Sequence, residues 1–160
     1  MTQANSQAHP GVNFPPTLWF VLGFIGGMMI NRLLPLPLIG GQRPAFLLWS
    51  AWLLIGAGLT LSFSGMLTFW YKRTAIYPNQ PATRLVTTGP YRFTRNPMYL
   101  GLVVAYLGMV LLTNLLWPLL LLPAVLFALT TLVIRREERY LAGEFGTEYQ
   151  QYCQRVGRWF

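Results

Sequence analysis

Acidic side chains are scarce in this sequence: of 160 residues only four are Asp or Glu, against twelve Lys and Arg, with one histidine and one cysteine. A single cysteine, Cys153, excludes an internal disulfide and a cysteine-based metal cluster. His9, the lone histidine, lies in a polar N-terminal stretch, so imidazole catalysis and histidine-based metal sites are not expected. Charged residues make up only 10% of the chain and hydrophobic ones 54%, where an ordinary soluble domain is about 25% charged. A soluble core cannot absorb that balance.

Four apolar stretches hold the excess, at about 18–38, 45–71, 98–113 and 115–134. Because a membrane crossing takes roughly 20 apolar residues, four crossings leave room for one domain, 17–160, behind a flexible polar tail at 1–16. That tail lacks the basic start of a secretory signal, and no cleavage is expected. The predicted fold is an all-α integral membrane protein of about four transmembrane helices. Only Thr113 and Asn114 separate the last two stretches, which predicts a C-terminal antiparallel hairpin. The third stretch is short for the hydrocarbon thickness and should begin in a protein-lined recess.

Helix punctuation sharpens these limits. Asn96 before Pro97 reads as an N-cap followed by proline at the first helical position. Pro118 and Pro123 fall early in the fourth stretch, where they would bend the helix rather than end it. Gly23 with Gly27, and Gly58 with Ser62, are spaced to let the first two helices approach closely, although glycine is common in membrane helices generally. Past the fourth stretch, Thr147 with Gln150 suggests a capping box, and Tyr149, Tyr152, Cys153 and Val156 fall on one face of a short amphipathic tail helix.

The net charge of +8 is distributed unevenly. Lys72, Arg73, Arg84, Arg92 and Arg95 lie between the second and third stretches, and Arg135, Arg136, Arg139, Arg155 and Arg158 follow the fourth. Only Arg32 and Arg43 lie between the first and second. The positive-inside rule then puts both basic segments and both termini in the cytoplasm. Trp19, Trp49, Trp52, Trp70, Tyr71 and Trp117 fall near the predicted span ends, as interfacial aromatics do. Anionic headgroups account for the basic surplus, and the expected partners are membrane lipids rather than nucleic acid.

Two polar segments remain, and the hairpin would bring them together at the cytoplasmic face. One is GPYRFTRNPMYLG, from Gly89 to Gly101; the other is RREERYLAGEF, from Arg135 to Phe145. The first combines a helix N-terminus with Arg92 and Arg95, a setting for an anion. The second segment and the residues just after it hold all four acids: Glu137, Glu138, Glu144 and Glu148. A ligand that uses both would carry a carboxylate or phosphate together with a cation or hydroxyls, and Tyr91 and Tyr99 could pack on an aromatic ring or a sulfonium. Arginines and tyrosines at a membrane boundary also serve as plain anchors, and Glu137 and Glu138 could simply pair with neighbouring arginines. The residues alone leave both readings open.

The run Arg95-Asn96-Pro97-Met98-Tyr99-Leu100-Gly101, a hydrophobic hairpin, the pair Glu137-Glu138, and Phe145-Gly146-Thr147-Glu148-Tyr149 together resemble the isoprenylcysteine carboxyl methyltransferase and phospholipid methyltransferase superfamily. The resemblance runs from about Leu85 to the end of the chain. It implies methyl transfer to a lipophilic carboxylate, thiol or amine with S-adenosylmethionine as cofactor, held by the matching Arg95, Pro97, Tyr99, Gly101, Glu137 and Glu138, to which the first polar segment adds Tyr91, Arg92 and Asn96 as candidates. Asn96 stands where the isoprenylcysteine branch has histidine, and is similar to the Asn-Pro-Met-Tyr form of phospholipid methyltransferases and small bacterial relatives. No general base is evident, and no catalytic residue is assigned. Two other readings stay in view: an NADPH-dependent reductase resembling the sterol reductases, and a non-catalytic membrane module.

Overall fold

The computed structural model describes residues 15–72 and 83–159. The polar tail at 1–14, with His9, lies outside the described residues, as does Arg73. Four apolar helices run antiparallel: α1 (Pro16–Leu33), α2 (Ala45–Tyr71), α3 (Pro97–Thr113) and α4 (Leu116–Leu129). α4 continues through one wide turn of π-helix, Thr130–Ile134, into α5 (Arg135–Arg155). Three helical stretches are long and apolar enough to cross a membrane, and α3 is a shorter apolar helix. About four spans, all helical, is therefore the architecture of the described chain.

The first helix is shorter than its apolar stretch suggested. It ends at Leu33, where Pro35 and Pro37 follow and disfavour helix at the residues before them. The chain instead runs extended along the α3–α4 link. Leu38 N donates to Asn114 O at 3.1 Å, Leu116 N donates to Leu36 O at 3.1 Å, and both the N–H and the carbonyl of Ile39 bond the Asn114 side chain. Asn114 adopts φ 59°, a left-handed conformation that asparagine tolerates better than most residues. Leu115 stays extended against Pro37, so α4 starts one residue later than expected.

Packing partners also differ from the sequence expectation. α3 and α4 are consecutive and antiparallel, but α3 packs along α2, and α4 along α1. The buried residues of α2 are Ala51, Gly58 and Gly65, seven apart, forming a seam of small side chains. Gly101 and Gly108 of α3 face this seam, and a Cβ added at Gly101 would run into Gly58 O and Ser62. Ser62 Oγ donates to Met98 O at 2.8 Å across the same contact. Gly23 and Gly27 allow a close approach to Val125 and Pro118 of α4. The small residues thus bring helices together, yet α1 meets α4 and α2 meets α3, rather than α1 meeting α2.

Proline placement explains how α4 survives two prolines. Pro118 lies in the first turn, where its missing N–H costs no intrahelical bond, and its carbonyl accepts from Tyr106 Oη at 2.8 Å. Pro123 sits inside the helix without ending it. The core gathers Phe20, Tyr99, Tyr106, Val110, Leu122, Val125, Leu129, Val133 and Ile134. A second cluster of Tyr149, Tyr152 and Val156 lies beside it.

The tail helix is longer than expected. No glycine or proline interrupts the chain between Ile134 and Tyr140, and the charged residues there are good helix formers, so α5 follows α4 directly. The break falls at Gly146, whose φ of 50° and ψ of −120° suit glycine and bend α5 in two. The amphipathic piece read from Thr147 onward is the part beyond this bend.

Candidate functional site

At one end of the bundle the C-terminus of α2, the N-terminus of α3 and the α4–α5 junction meet. The chain reaches α3 through a tight 3-10 turn, Gly89–Arg92, whose Tyr91 ring packs edge-on against Phe69 of α2 at 5.2 Å. Gly89 has φ 63° and lies against Thr68, so a side chain there would meet both steric and conformational cost. The π-helical turn changes the phase of the returning helix just before its charged part. Val133 and Ile134 are then fully buried, and Glu137 comes to face Tyr99.

Two acid pairings join the segments. Tyr99 Oη donates to Glu137 Oε1 at 2.8 Å. Burial pushes the Glu137 carboxyl up to about 7, against the opposing effect of the Tyr99 hydrogen bond. Glu138, beyond the apolar span, faces Arg95, with Arg95 Nη1 3.1 Å from its Oε1. Arg95 Nη1 also lies 2.9 Å from Cys153 Sγ and 3.4 Å from Tyr149 Oη, while Arg95 Nε is buried without a partner. The guanidinium therefore keeps donor capacity that the protein does not use.

A cleft of about 590 Å³ opens here, lined by Arg95, Thr131, Arg135, Glu138, Arg139, Ala142 and Tyr149. That volume falls within the roughly 300–1,000 Å³ of small-molecule sites. Its charges are three guanidinium groups and one carboxylate, so its field favours a ligand with an anionic end. Burial pushes the Tyr149 hydroxyl up, keeping it a neutral donor at physiological pH.

The nine residues singled out from the sequence fall into distinct places. Arg95 and Glu138 line the cleft. Tyr99 and Glu137 bond each other beside the core. Tyr91 is buried, and its hydroxyl has no partner; burial and the neighbouring Tyr152 and Glu137 push it up. Arg92 is exposed. Pro97 is enclosed, and Gly101 belongs to the α2–α3 seam.

Asn96 departs from the capping role. It occupies the N-cap position with no side-chain cap bond, and its Nδ2 donates instead to Arg158 O at 3.0 Å. Tail packing takes the amide away from the helix end. The capping reading from sequence is corrected on this point.

Four contributors were missed in the sequence. Tyr149 was read as part of a packing stripe, whereas Arg135 and Arg139 were read as topology anchors; all three line the cleft. Arg158, also read as an anchor, donates from Nε to Glu138 Oε1 at 2.9 Å and from Nη2 to Glu138 Oε2 at 2.6 Å. Helical spacing gives Arg135, Arg139 and Ala142 a common face, a usable signal. Arg158 follows α5 in non-helical chain, so no periodicity points to it.

A family model for phospholipid methyltransferases matches residues 46–148. It spans α2, α3, α4 and the first part of α5, and so includes both polar segments. No curated protein and no solved structure gives a significant match.

Proposed function

Since the chain belongs to the phospholipid methyltransferase family, we propose that it transfers the methyl group of S-adenosylmethionine to a lipophilic acceptor at the cytoplasmic membrane face. The observation that carries this reading is the facing of Arg95 and Glu138 across the rim of the cleft, 3.1 Å apart. S-adenosylmethionine carries its carboxylate and its ammonium on one carbon, so a fixed cation beside a fixed carboxylate matches that end of the molecule. The unpartnered Nε of Arg95 supports the fit.

When bound, S-adenosylmethionine supplies an electrophilic methyl on a sulfonium. The protein's own residues then bind and orient. Arg95 donates to the carboxylate, as a charge-assisted bond. Glu138 accepts from the ammonium or a ribose hydroxyl, and Tyr149 closes one wall of the cleft. Arg135 and Arg139, at the mouth, face the headgroup layer and favour an acceptor with an anionic group. Rate enhancement comes chiefly from holding donor and acceptor in line and keeping water out. An acceptor carboxylate is already ionised at pH 7. An acceptor amine must first lose its proton, and Glu137 and Glu138 are the carboxylates within reach of this end of the bundle.

The orientation belongs to the same proposal. Arg95, Arg135, Arg139 and Arg158 lie at the end where the cofactor would enter, and the positive-inside rule assigns that end to the cytoplasm.

Calorimetric titration in detergent tests the cofactor assignment. Arg95→Ala and Glu138→Ala should each weaken S-adenosylmethionine binding by about 1.5 to 3 kcal/mol, as expected for bonds to charged groups. Parent-like affinity in both variants would reduce these residues to anchors. Saturable binding of NADPH with none of S-adenosylmethionine would favour the reductase reading.

A further inference from the structure

The match to the family ends at residue 148, yet a short ion pair to a carboxylate of the cleft comes from beyond it: Arg158 Nη2 to Glu138 Oε2 at 2.6 Å. We propose that Arg158 is a positioning residue for the cofactor site, a clasp that fixes Glu138 and the segment bearing Arg95 as one unit. The inference rests on reading the cleft as the cofactor site.

The contact is a fork. Nε reaches one carboxylate oxygen at 2.9 Å and Nη2 the other at 2.6 Å. Two parallel bonds fix both the position and the plane of the carboxylate, which a single contact does not. A carboxylate has about four lone-pair sites; Arg158 takes two by hydrogen bonds, and Arg95 Nη1 stands 3.1 Å from Oε1 as an ion pair. Acceptor capacity is left on a carboxylate that lines the cleft.

The same stretch of chain also holds the other half of the site. Arg158 O accepts from Thr94 Oγ1 at 3.1 Å and from Asn96 Nδ2 at 3.0 Å. Gly157 O accepts from Arg95 N at 3.0 Å. The residues on both sides of Arg95, and Arg95 itself, are therefore fastened to the peptide whose side chain holds Glu138. The separation of cation and carboxylate is set by this bridge between the α3 N-terminus and α5.

Without the fork, Glu138 keeps only Arg95 as an ionic partner. Arg95 already stands 3.1 Å from it, and a carboxylate no longer held in plane is free to close fully onto that guanidinium instead of keeping acceptor capacity for a ligand. The backbone bonds do not depend on the Arg158 side chain. Val156 is buried and Trp159 packs on the main core, so the segment stays docked when that side chain is shortened. The Arg158 side chain is 35% exposed, and its removal leaves no sealed void.

These features allow a test in which positioning and folding separate. S-adenosylmethionine is titrated calorimetrically into the full-length parent, Arg158→Ala, Arg158→Lys, Glu138→Gln and the Glu138→Gln/Arg158→Ala double variant, with melting recorded for each. Arg158→Ala should bind about tenfold more weakly or worse, with a melting temperature close to the parent's. Arg158→Lys keeps the charge but not the fork, and should recover only part of the affinity. In the Glu138→Gln background the loss of Arg158 should add little, because its effect passes through that carboxylate. Parent-like or tighter binding by Arg158→Ala, full recovery by lysine, or additive losses in the double variant would each overturn the clasp. Should Arg158→Ala fail to melt cooperatively, Arg158→Lys decides. Failure of the parent to bind at all would defeat the cofactor reading, a separate outcome.

Discussion

Asn96 shows how one side chain can be claimed by two structures. At a helix start followed by proline, its oxygen would normally accept from the first-turn N–H groups. Here its amide nitrogen donates to Arg158 O instead. As a simple cap, Asn96→Asp would be tolerated or even favoured by the helix dipole. As the donor in this bond it is not replaceable by a carboxylate, which cannot donate and would face a carbonyl oxygen about 3 Å away. Asn96→Asp should therefore lower the melting temperature at neutral pH, by at least as much as Asn96→Ala, whose loss of one hydrogen bond costs about 0.5–1.5 kcal/mol. Thermal melts of the two variants in one detergent check this, and an aspartate variant as stable as the parent would restore the capping role. Arg95 and Glu138 were legible in the sequence because they belong to compact polar segments in an otherwise apolar chain. Arg158 was not, because its partner lies across a non-helical turn and its residue type is what a membrane boundary carries anyway.

Among the helices, the close approach of α2 and α3 carries the site. The α2 seam of Ala51, Gly58 and Gly65 receives Gly101 and Gly108, and α3 is thereby held with Arg95 and Tyr99 at the bundle end. A side chain at Gly101 would collide with Gly58 O and with the backbone N and Oγ of Ser62, and backbone cannot move aside cheaply. Gly101→Val should then destabilise the protein by about 1–3 kcal/mol, the usual cost of overpacking. Gly56→Val, on the partner helix α2 with open space around it, should cost far less. Comparing the two by melting separates seam packing from general helix propensity. The sequence showed the spans because hydropathy fixes them, and showed the small residues because glycine stands out in an apolar run. It could not show which helices those residues join. In lipid the driving force is shape complementarity, which depends on the paired surface and not on one helix.

For the molecule as a whole, the charge asymmetry and the cleft lie at the same end. Arg43 donates to Leu112 O at the opposite end, where Asn114 ties the links together. In a Cys153→Ser background, Gly40→Cys should react with an impermeant thiol reagent from outside intact cells, whereas Gly143→Cys should react only after permeabilisation. Neither glycine has atoms within 4 Å of a new Cβ, so neither change should disturb the fold. Reversed labelling would set the cleft on the side without the cofactor. The central claim, methyl transfer to a lipid, is tested most directly by incubating the purified protein with methyl-labelled S-adenosylmethionine in vesicles made from a total lipid extract, then separating lipid from water-soluble material. The account predicts label in the lipid fraction, lowered when Arg95→Ala or Glu138→Ala replaces the parent. Label that stays wholly in the aqueous fraction, from a protein that binds the cofactor, would contradict it.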